Sequence, residues 1–218
     1  MPSLNEQDSI GDTVKSIPFA ALREKNFSVE VLLVDGGSTD KTVKIANDLG
    51  VRVVNCSRGY GRQYKLGFQE ARGEIIVTGD SDNSYPMHEI PRLIEILEEE
   101  GLDFISTNRF AHMAKDSMYW VNNLGNRLLT FLTNLLFFLN LKDSQSGMWV
   151  IRKRSLKEII LKSDGMSLSQ EIKIEAFKKL RAREVDSSYK KRIGQVKLRI
   201  IRDGWGNITH LIKKWLGF

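Results

Sequence analysis

Residues that build covalent or metal-clamped frameworks are scarce in this chain, which has one cysteine and three histidines in 218 residues. Cys56 has no intrachain partner, so a disulfide scaffold is excluded, and a Cys/His zinc site cannot be assembled from this set. A reducing, cytoplasmic setting is the default that follows. Proline is sparse as well, with four in the chain, and no internal repeat, low-complexity tract or linker divides it. One domain over residues 1–218 is therefore expected. The opening Met1-Pro2-Ser3-Leu4-Asn5-Glu6 lacks the basic start and apolar run of a signal peptide. A membrane span needs roughly 20 mostly apolar residues. The longest such stretch, Leu128 to Leu141, covers about 14 and is interrupted by Thr130, Thr133, Asn134 and Asn140. It can lie on a membrane but hardly cross one.

What is present is the balance of a globular chain, 41% hydrophobic and 28% charged, which excludes disorder, collagen and coiled coil. The net charge of +6 is unevenly placed. Residues 1–150 carry 15 Lys+Arg against 20 Asp+Glu, and residues 151–218 carry 18 against 7. An acidic half suits a nucleotide and a metal, and a basic segment suits phosphate, a membrane surface or nucleic acid, although solvated lysines on helix faces account for part of the excess.

Apolar periodicity predicts a helix from Ile10 to Leu22 ending near Pro18, then a strand at Val29–Val34. A loop at Asp35-Gly36-Gly37-Ser38 leads to a helix at Lys41–Leu49, and Val51–Val54 reads as a second strand. The alternation continues with a glycine loop at 59–61, a helix at Gln63–Ala71, a strand at Glu74–Thr78, a helix at Met87–Glu99 and a strand at Phe104–Ser106. Strands alternating with helices mean a mostly parallel sheet wound with crossovers. Beyond Arg109 come a long helical stretch from Met118 to Leu141, a turn at Asp143–Gly147, a strand at Met148–Ile151, and a helix at Leu168–Leu180. An edge strand at Ala182–Tyr189 and a basic amphipathic helix from Trp205 to Phe218 complete the chain.

Ligands of open α/β sheets bind at the carboxyl ends of the strands, where this sequence places Asp35 and the pair Asp80 and Asp82. Two carboxylates one residue apart can hold Mg²⁺ or Mn²⁺, with water and phosphate oxygens completing the shell. Asp80-Ser81-Asp82-Asn83-Ser84 before Tyr85-Pro86 is equally the composition of a plain turn. Asp40 could likewise be a helix cap.

Six motifs in order resemble one family. They are Pro2-Ser3-Leu4-Asn5-Glu6; Val34-Asp35-Gly36-Gly37-Ser38-Thr39-Asp40; Gly59-Tyr60-Gly61 with Gly67, Ala71 and Gly73; Asp80-Ser81-Asp82; Asp143-Ser144-Gln145-Ser146-Gly147; and Tyr189-Lys190-Lys191-Arg192-Ile193-Gly194 continuing to Leu198. The chain resembles the family 2 inverting glycosyltransferases of GT-A fold, in particular polyprenyl-phosphate sugar transferases of the dolichyl-phosphate mannose synthase type. The resemblance implies an α/β, Rossmann-like sheet flanked by helices, with C-terminal amphipathic helices. It implies a nucleotide-sugar and metal half over 1–110 and a basic, membrane-facing acceptor half over 111–218.

It further implies that Pro2, Leu4, Glu6, Asp35, Gly61 and Asp80 surround a nucleoside-diphosphate sugar of the GDP-mannose or UDP-glucose type. Asp80 and Asp82 would hold the metal, and Arg192 would steady the departing diphosphate through its forked donors. Arg109, Arg127 and Lys197 would hold the acceptor phosphate. Such a phosphate is already an anion and needs no base; a hydroxyl of a glycan or soluble acceptor would need one, with Asp143 or Glu171 as candidates. A face of Trp120, Leu124, Leu128, Phe131, Leu135 and Phe138 would lie on the membrane or pack as a core helix. The expected protein is a peripheral enzyme at the cytoplasmic membrane face, with no nucleic-acid partner.

Three features depart from the family pattern. The apolar strand that normally precedes Pro-x-x-Asn-Glu is missing, so the sheet is expected to lack a strand near its middle. Ser84 replaces a frequent Gln two places after Asp82, which weakens the assignment to mannose. The transmembrane helices that some relatives carry after the catalytic domain are absent. A sugar-phosphate nucleotidyltransferase is the rival enzyme class, but no Gly-rich, basic triphosphate loop opens the sequence.

Overall fold

The computed structural model describes residues 1–115, 117–193 and 200–217. Its strands are β1 (Pro2–Ser3), β2 (Leu32–Asp35), β3 (Arg52–Asn55), β4 (Ile75–Val77), β5 (Phe104–Met113), β6 (Trp149–Arg152) and β7 (Ala182–Tyr189). Its helices are α1 (Ile10–Lys15), α2 (Phe19–Glu24), α3 (Thr42–Asp48), α4 (Tyr60–Glu70), α5 (Ile90–Glu99), α6 (Trp120–Phe137), α7 (Leu168–Lys179) and α8 (Ile200–Trp215).

The expected α/β architecture is present, but the strands form two sheets. β1, β2 and β3 pair in that order, all parallel. The second sheet has the order β4-β6-β5-β7, with β6 antiparallel to both neighbours and β7 parallel to β5. The helix predicted over Ile10–Leu22 is two helices, α1 and α2, because Pro18 cannot donate to a continuing ladder. The helix predicted from Met87 begins with a 3₁₀ turn at Met87–Glu89 and becomes α-helical at Ile90.

The second sheet is the middle of a three-layer sandwich, and β6 displays the reason in its sequence. Successive side chains of a strand face opposite ways. Met148 and Val150 pack with Leu93, Leu97 and Val185 on the α5 face, whereas Trp149 and Ile151 pack with Tyr64, Phe68 and Ile172 on the α4 and α7 face. With both faces covered, the strand reads as an unbroken apolar run rather than an alternation. Around the smaller sheet, Ile10, Val14, Leu33, Ala46 and Val51 form a separate core.

α6 resolves the choice between a core helix and an outward one. Leu129, Thr130, Thr133 and Phe137 face inward, and Leu129 and Phe137 meet Ile174 of α7 and Leu211 of α8. Trp120, Leu124, Leu128, Phe131, Leu135 and Phe138 are all exposed, from 52% to 92%. Among the described residues no helix is long and apolar enough to cross a membrane.

Trp149 is fully buried on the α4 and α7 face, and its indole N–H donates to the Ser146 carbonyl at 2.8 Å. Trp149→Ala is expected to cost about 3–5 kcal/mol through lost burial and the cavity left behind, read from urea unfolding. A loss below about 1 kcal/mol would contradict this packing.

Candidate active site

The carboxyl ends of β1, β2 and β4 converge, and the loops leaving them are tied together. Asn5 N–H donates to Ser38 Oγ at 2.9 Å, and Thr39 N–H returns a bond to Asn5 Oδ1 at 2.8 Å. Glu6 N–H donates to Thr42 Oγ1 at 2.7 Å. The acidic loop after β4 is held from beneath: Ser81 Oγ donates to the Pro2 carbonyl at 3.0 Å, while Ser9 and Thr13 hydroxyls donate to the Ser81 carbonyl at 2.9 and 3.2 Å. Asn83 turns the loop in the left-handed region with φ 61°, a conformation asparagine tolerates better than most residues.

Asp80 and Asp82 therefore occupy a fixed turn. Asp80 Oδ1 accepts hydrogen bonds from the Tyr60 and Tyr64 hydroxyls, both at 3.2 Å. Burial pushes both phenols well above their ordinary range, so they remain protonated donors. Asp82 Oδ1 accepts the Ser84 N–H at 3.0 Å. Arg192 Nη2 lies 3.0 Å from Glu6 Oε1 and 3.4 Å from Asp82 Oδ2. The segment bearing Arg192 is strapped over the loop by Lys190 N–H to the Ser84 carbonyl and Ile193 N–H to the Asp82 carbonyl, each at 3.0 Å.

Electrostatics makes this turn one that a nearby cation would favour. Burial first, and the adjacent Asp82 carboxylate second, push the Asp80 carboxyl up to about 7, against the lowering influence of Tyr64 and Arg192. With Asp82 buried and Asp80 half-buried in one turn, positive charge nearby favours the ionised Asp80 carboxylate. Among the described residues no cluster of three or more His, Cys, Asp or Glu side chains gathers to enclose an ion. A pair of carboxylates is nonetheless the protein share of a Mg²⁺-type site whose other ligands are water and phosphate.

The other candidates are placed differently. Pro2, Glu6 and Asp35 are buried at this strand-end cluster, and Leu4 is half-buried beside them. The Asp35 carboxylate accepts the Gly37 and Ser38 N–H groups, each at 2.9 Å, and so shapes its own loop. Gly61 faces elsewhere than the acidic loop: a Cβ there would come 2.4 Å from the Ser163 carbonyl, and its N–H donates to the Asp164 carbonyl at 3.0 Å. Its lack of a side chain serves contact with the 163–165 loop rather than with a nucleotide.

Asp143 and Arg109 form a buried bidentate pair, with Nε to Oδ2 at 2.7 Å and Nη2 to Oδ1 at 3.0 Å. Burial opposes the Asp143 charge, but Arg109 outweighs it and holds the carboxyl at about 2. Asp143 is thus too buried and too acidic to serve as a general base, and Arg109 is held by it rather than presented to an acceptor. Glu171, the other candidate base, is 1% exposed and lies beside His210 and Lys214, each at 3.5 Å. Arg127 is exposed on α6, its guanidinium carbon 4.5 Å from the Phe110 ring centre. Lys197 lies outside the described residues.

Sequence reasoning missed Tyr60, Tyr64, Tyr85 and Lys173. Tyr60 and Tyr64 are four apart on α4, the spacing that puts both on one helix face. Tyr85 Oη accepts the Gly147 N–H at 2.6 Å, and Lys173 Nζ donates to the Asp143 carbonyl at 2.6 Å. Burial pulls that lysine down to about 7. A lysine inside an otherwise ordinary helix carries no sequence signal of such a role.

The match to protein families agrees with the geometry. The Glycosyl transferase family 2 model covers residues 1–160. The chain belongs to Glycosyl transferase family 2. It is 30% identical over 222 residues to the low-salt glycan biosynthesis hexosyltransferase Agl6 of Haloferax volcanii, spanning 100% of this chain and 53% of that protein. It is 30% identical over 200 residues to a dolichyl-phosphate hexose transferase of the same organism, covering 91% of this chain and 84% of the relative. This chain thus spans about half the length of the first relative and most of the second.

Among solved structures, glucosyl-3-phosphoglycerate synthase from Mycobacterium tuberculosis bound to phosphoglyceric acid superposes with a TM-score of 0.78 at 22% identity, over 100% of this chain and 78% of that one. The same enzyme with Mn²⁺, UDP-glucose and phosphoglyceric acid gives 0.77 at 21%, over 98% and 77%. These likenesses establish the GT-A fold.

The Arg109–Asp143 pair sets a pH dependence. A carboxyl whose folded pKa lies below its unfolded value adds stability above the unfolded value and loses it as pH falls through the folded one. For Asp143 that window runs from 3.8 down to about 2. Urea midpoints are expected to fall across it in the wild type and to fall less steeply in Asp143→Asn. Above that window the variant should be weaker by about 3–5 kcal/mol, because it strands the Arg109 charge, and the gap should narrow as pH falls. Parallel pH slopes would contradict this assignment.

Proposed function

We propose that this chain transfers a sugar, with inversion, from a nucleoside-diphosphate sugar to a polyprenyl phosphate at the cytoplasmic membrane face. Residues 1–110 supply the donor half and residues 111–218 the acceptor half. The observation that carries the lipid acceptor is the outward apolar row on α6, which extends a protein surface rather than a core. α8 adds exposed Trp205, Ile212, Trp215 and Leu216, a composition suited to the headgroup layer. The relatives named as a dolichyl-phosphate hexose transferase and, in Edwardsiella ictaluri, an undecaprenyl-phosphate 4-deoxy-4-formamido-L-arabinose transferase favour the same acceptor class.

On this reading Asp80 and Asp82 hold Mg²⁺ or Mn²⁺ against the donor diphosphate, as the Mn²⁺ and UDP-glucose of the structural neighbour also suggest. A bound divalent ion supplies Lewis-acid neutralisation of the departing diphosphate. Arg192, which rests between Asp82 and Glu6, turns its fork to the same phosphates. Pro2, Leu4, Glu6 and Asp35 border the nucleoside. Tyr60 and Tyr64 fix the orientation of the Asp80 carboxylate. An acceptor phosphate oxygen bonds to the anomeric carbon on the face opposite the leaving group, and the breaking C–O bond gives its electron pair to the nucleoside diphosphate. Arg127, at the edge of the apolar row, steers that acceptor phosphate. A hydroxyl acceptor would need a base, and both carboxylates suggested by the sequence for that role, Asp143 and Glu171, are held in internal ion pairs. That favours the phosphate.

Asp82→Asn is expected to abolish metal-dependent transfer while leaving cooperative melting intact; normal turnover would refute the assignment. Arg192→Ala should lower kcat at least about tenfold, the scale of one lost charge-assisted contact. The acceptor is tested by whether labelled sugar partitions into the organic phase with a polyprenyl phosphate. Phe131→Ser with Leu135→Ser should reduce sedimentation with anionic liposomes, and unchanged binding would remove α6 from the membrane. These substitutions are preferable to deleting α8, whose Leu211 is 1% exposed in the packed interior.

A further inference from the structure

Helix α4 serves two strand ends at once. Tyr60 and Tyr64 reach Asp80, whereas Gln63 reaches the junction of β1 and β2, where its Nε2 donates to the Ser3 carbonyl at 2.9 Å and to the Val34 carbonyl at 2.8 Å. Two glycines make room for it. Gly67 lies four residues along the same helix face, and a Cβ there would come 3.3 Å from Val34 Cγ2, so its absence lets α4 lie close on β2. At Gly36, directly after β2, a Cβ would stand 3.0 to 3.2 Å from Nε2, Cδ and Oε1 of Gln63. The neighbouring Gly37 has φ 93°, where the backbone itself favours glycine, but Gly36 is outside that region. What Gly36 provides is therefore space beside this amide.

The amide is locked in one orientation. Both N–H bonds of Nε2 are used, and turning it over would set Oε1 against two carbonyl oxygens. Gln63 is 6% exposed, yet among the described residues nothing donates to Oε1, which remains reachable by solvent. The nearby Asp35 carboxylate is by contrast occupied: Oδ2 accepts the Gly37 and Ser38 N–H groups, and Oδ1 accepts the Ser38 hydroxyl. The free acceptor at this strand end is thus a fixed, neutral amide oxygen. It adds no charge to a cluster that already holds Glu6, Asp35, Asp80 and Asp82.

We infer that Gln63 is the specificity-determining residue for the nucleobase: its Oε1 accepts a ring N–H that adjoins a carbonyl, as in uracil, thymine and guanine, and Gly36 keeps the approach open. The inference rests on the nucleoside-diphosphate donor proposed above. In cytosine the corresponding ring nitrogen carries no hydrogen and is itself an acceptor. Two acceptors set against each other leave a buried lone pair unpaired. A site built to hydrogen-bond one group rejects an analogue lacking it far more strongly than an apolar pocket rejects a difference of size.

The test measures dissociation constants of UDP, GDP, dTDP and CDP in the presence of Mn²⁺ by calorimetry, with Tm, for the wild type, Gln63→Met and Gly36→Ala. The wild type is expected to bind at least one of UDP, GDP and dTDP at least about tenfold more tightly than CDP. Gln63→Met keeps the length of the side chain but neither accepts nor donates at that point, and should bring the ratio to within about threefold. It also loses both bonds to the strands, so its Tm should fall; a purely structural role would lower Tm and leave the ratio alone. Gly36→Ala retains the amide but crowds it, and should narrow the ratio in the same direction with a smaller change in Tm, which keeps the inference testable if Gln63→Met does not fold. Affinities for all four nucleotides that fall by one common factor in both variants, or a wild type that prefers CDP, would overturn the inference. A cooperatively melting wild type that binds none of the four would contradict the proposed donor itself, and this inference with it.

Discussion

The acidic turn after β4, with Asp82 buried and Asp80 half-buried, is the constraint around which this molecule is arranged. Asp80 and Asp82 are costly to ionise together, and the surrounding structure keeps them together all the same. Ser9, Thr13 and the Pro2 carbonyl hold Ser81 between them. Tyr60 and Tyr64 orient one carboxylate, and the segment after β7 lies over the other with Arg192. A fold that holds two carboxylates in one such turn would suit a cation, and on the proposed function a diphosphate would bring the remaining ligands such a cation takes.

Much of this was legible because it rests on local chemistry. The acidic turn, the Asp35 loop and the apolar run of β6 each follow from residues adjacent in sequence. The placement of Glu6, Asp82 and Arg192 in one cluster followed only from motif resemblance, since the contact spans 186 residues between Glu6 and Arg192. Pairings between distant buried groups were not legible. Asp143 and Arg109 look in sequence like groups that meet the acceptor, Lys173 carries no signal at all, and only packing turns the three into an interior network. Gly61 illustrates the same limit: a glycine required for close approach is visible in sequence, but which backbone approaches it is not.

The charge asymmetry of the chain has a more local explanation than its sum suggests. Several cations of the basic third answer acids within the fold: Arg183 pairs with Glu100, Lys179 with Glu175, and Lys214 with Glu175. What remains distinctive of the second half is apolar exposure. α6 and α8 pack against each other through Leu129, Phe137 and Leu211 and turn Trp120, Phe131, Trp205 and Trp215 outward. Large apolar side chains exposed in a row mark a surface for another phase or partner, and here they lie in the half of the chain proposed to face the acceptor.

The most direct measurement is the melting temperature of the protein with UDP, GDP and dTDP, with and without Mn²⁺, alongside Asp82→Asn. A ligand at 100 times its dissociation constant adds roughly 2.7 kcal/mol to a native state that binds it, so even a weak complex is visible. The account predicts a Mn²⁺-dependent rise with at least one nucleotide in the wild type and none in Asp82→Asn. A cooperatively melting wild type that shifts with no nucleotide, or that shifts equally without the metal and in the variant, would contradict it.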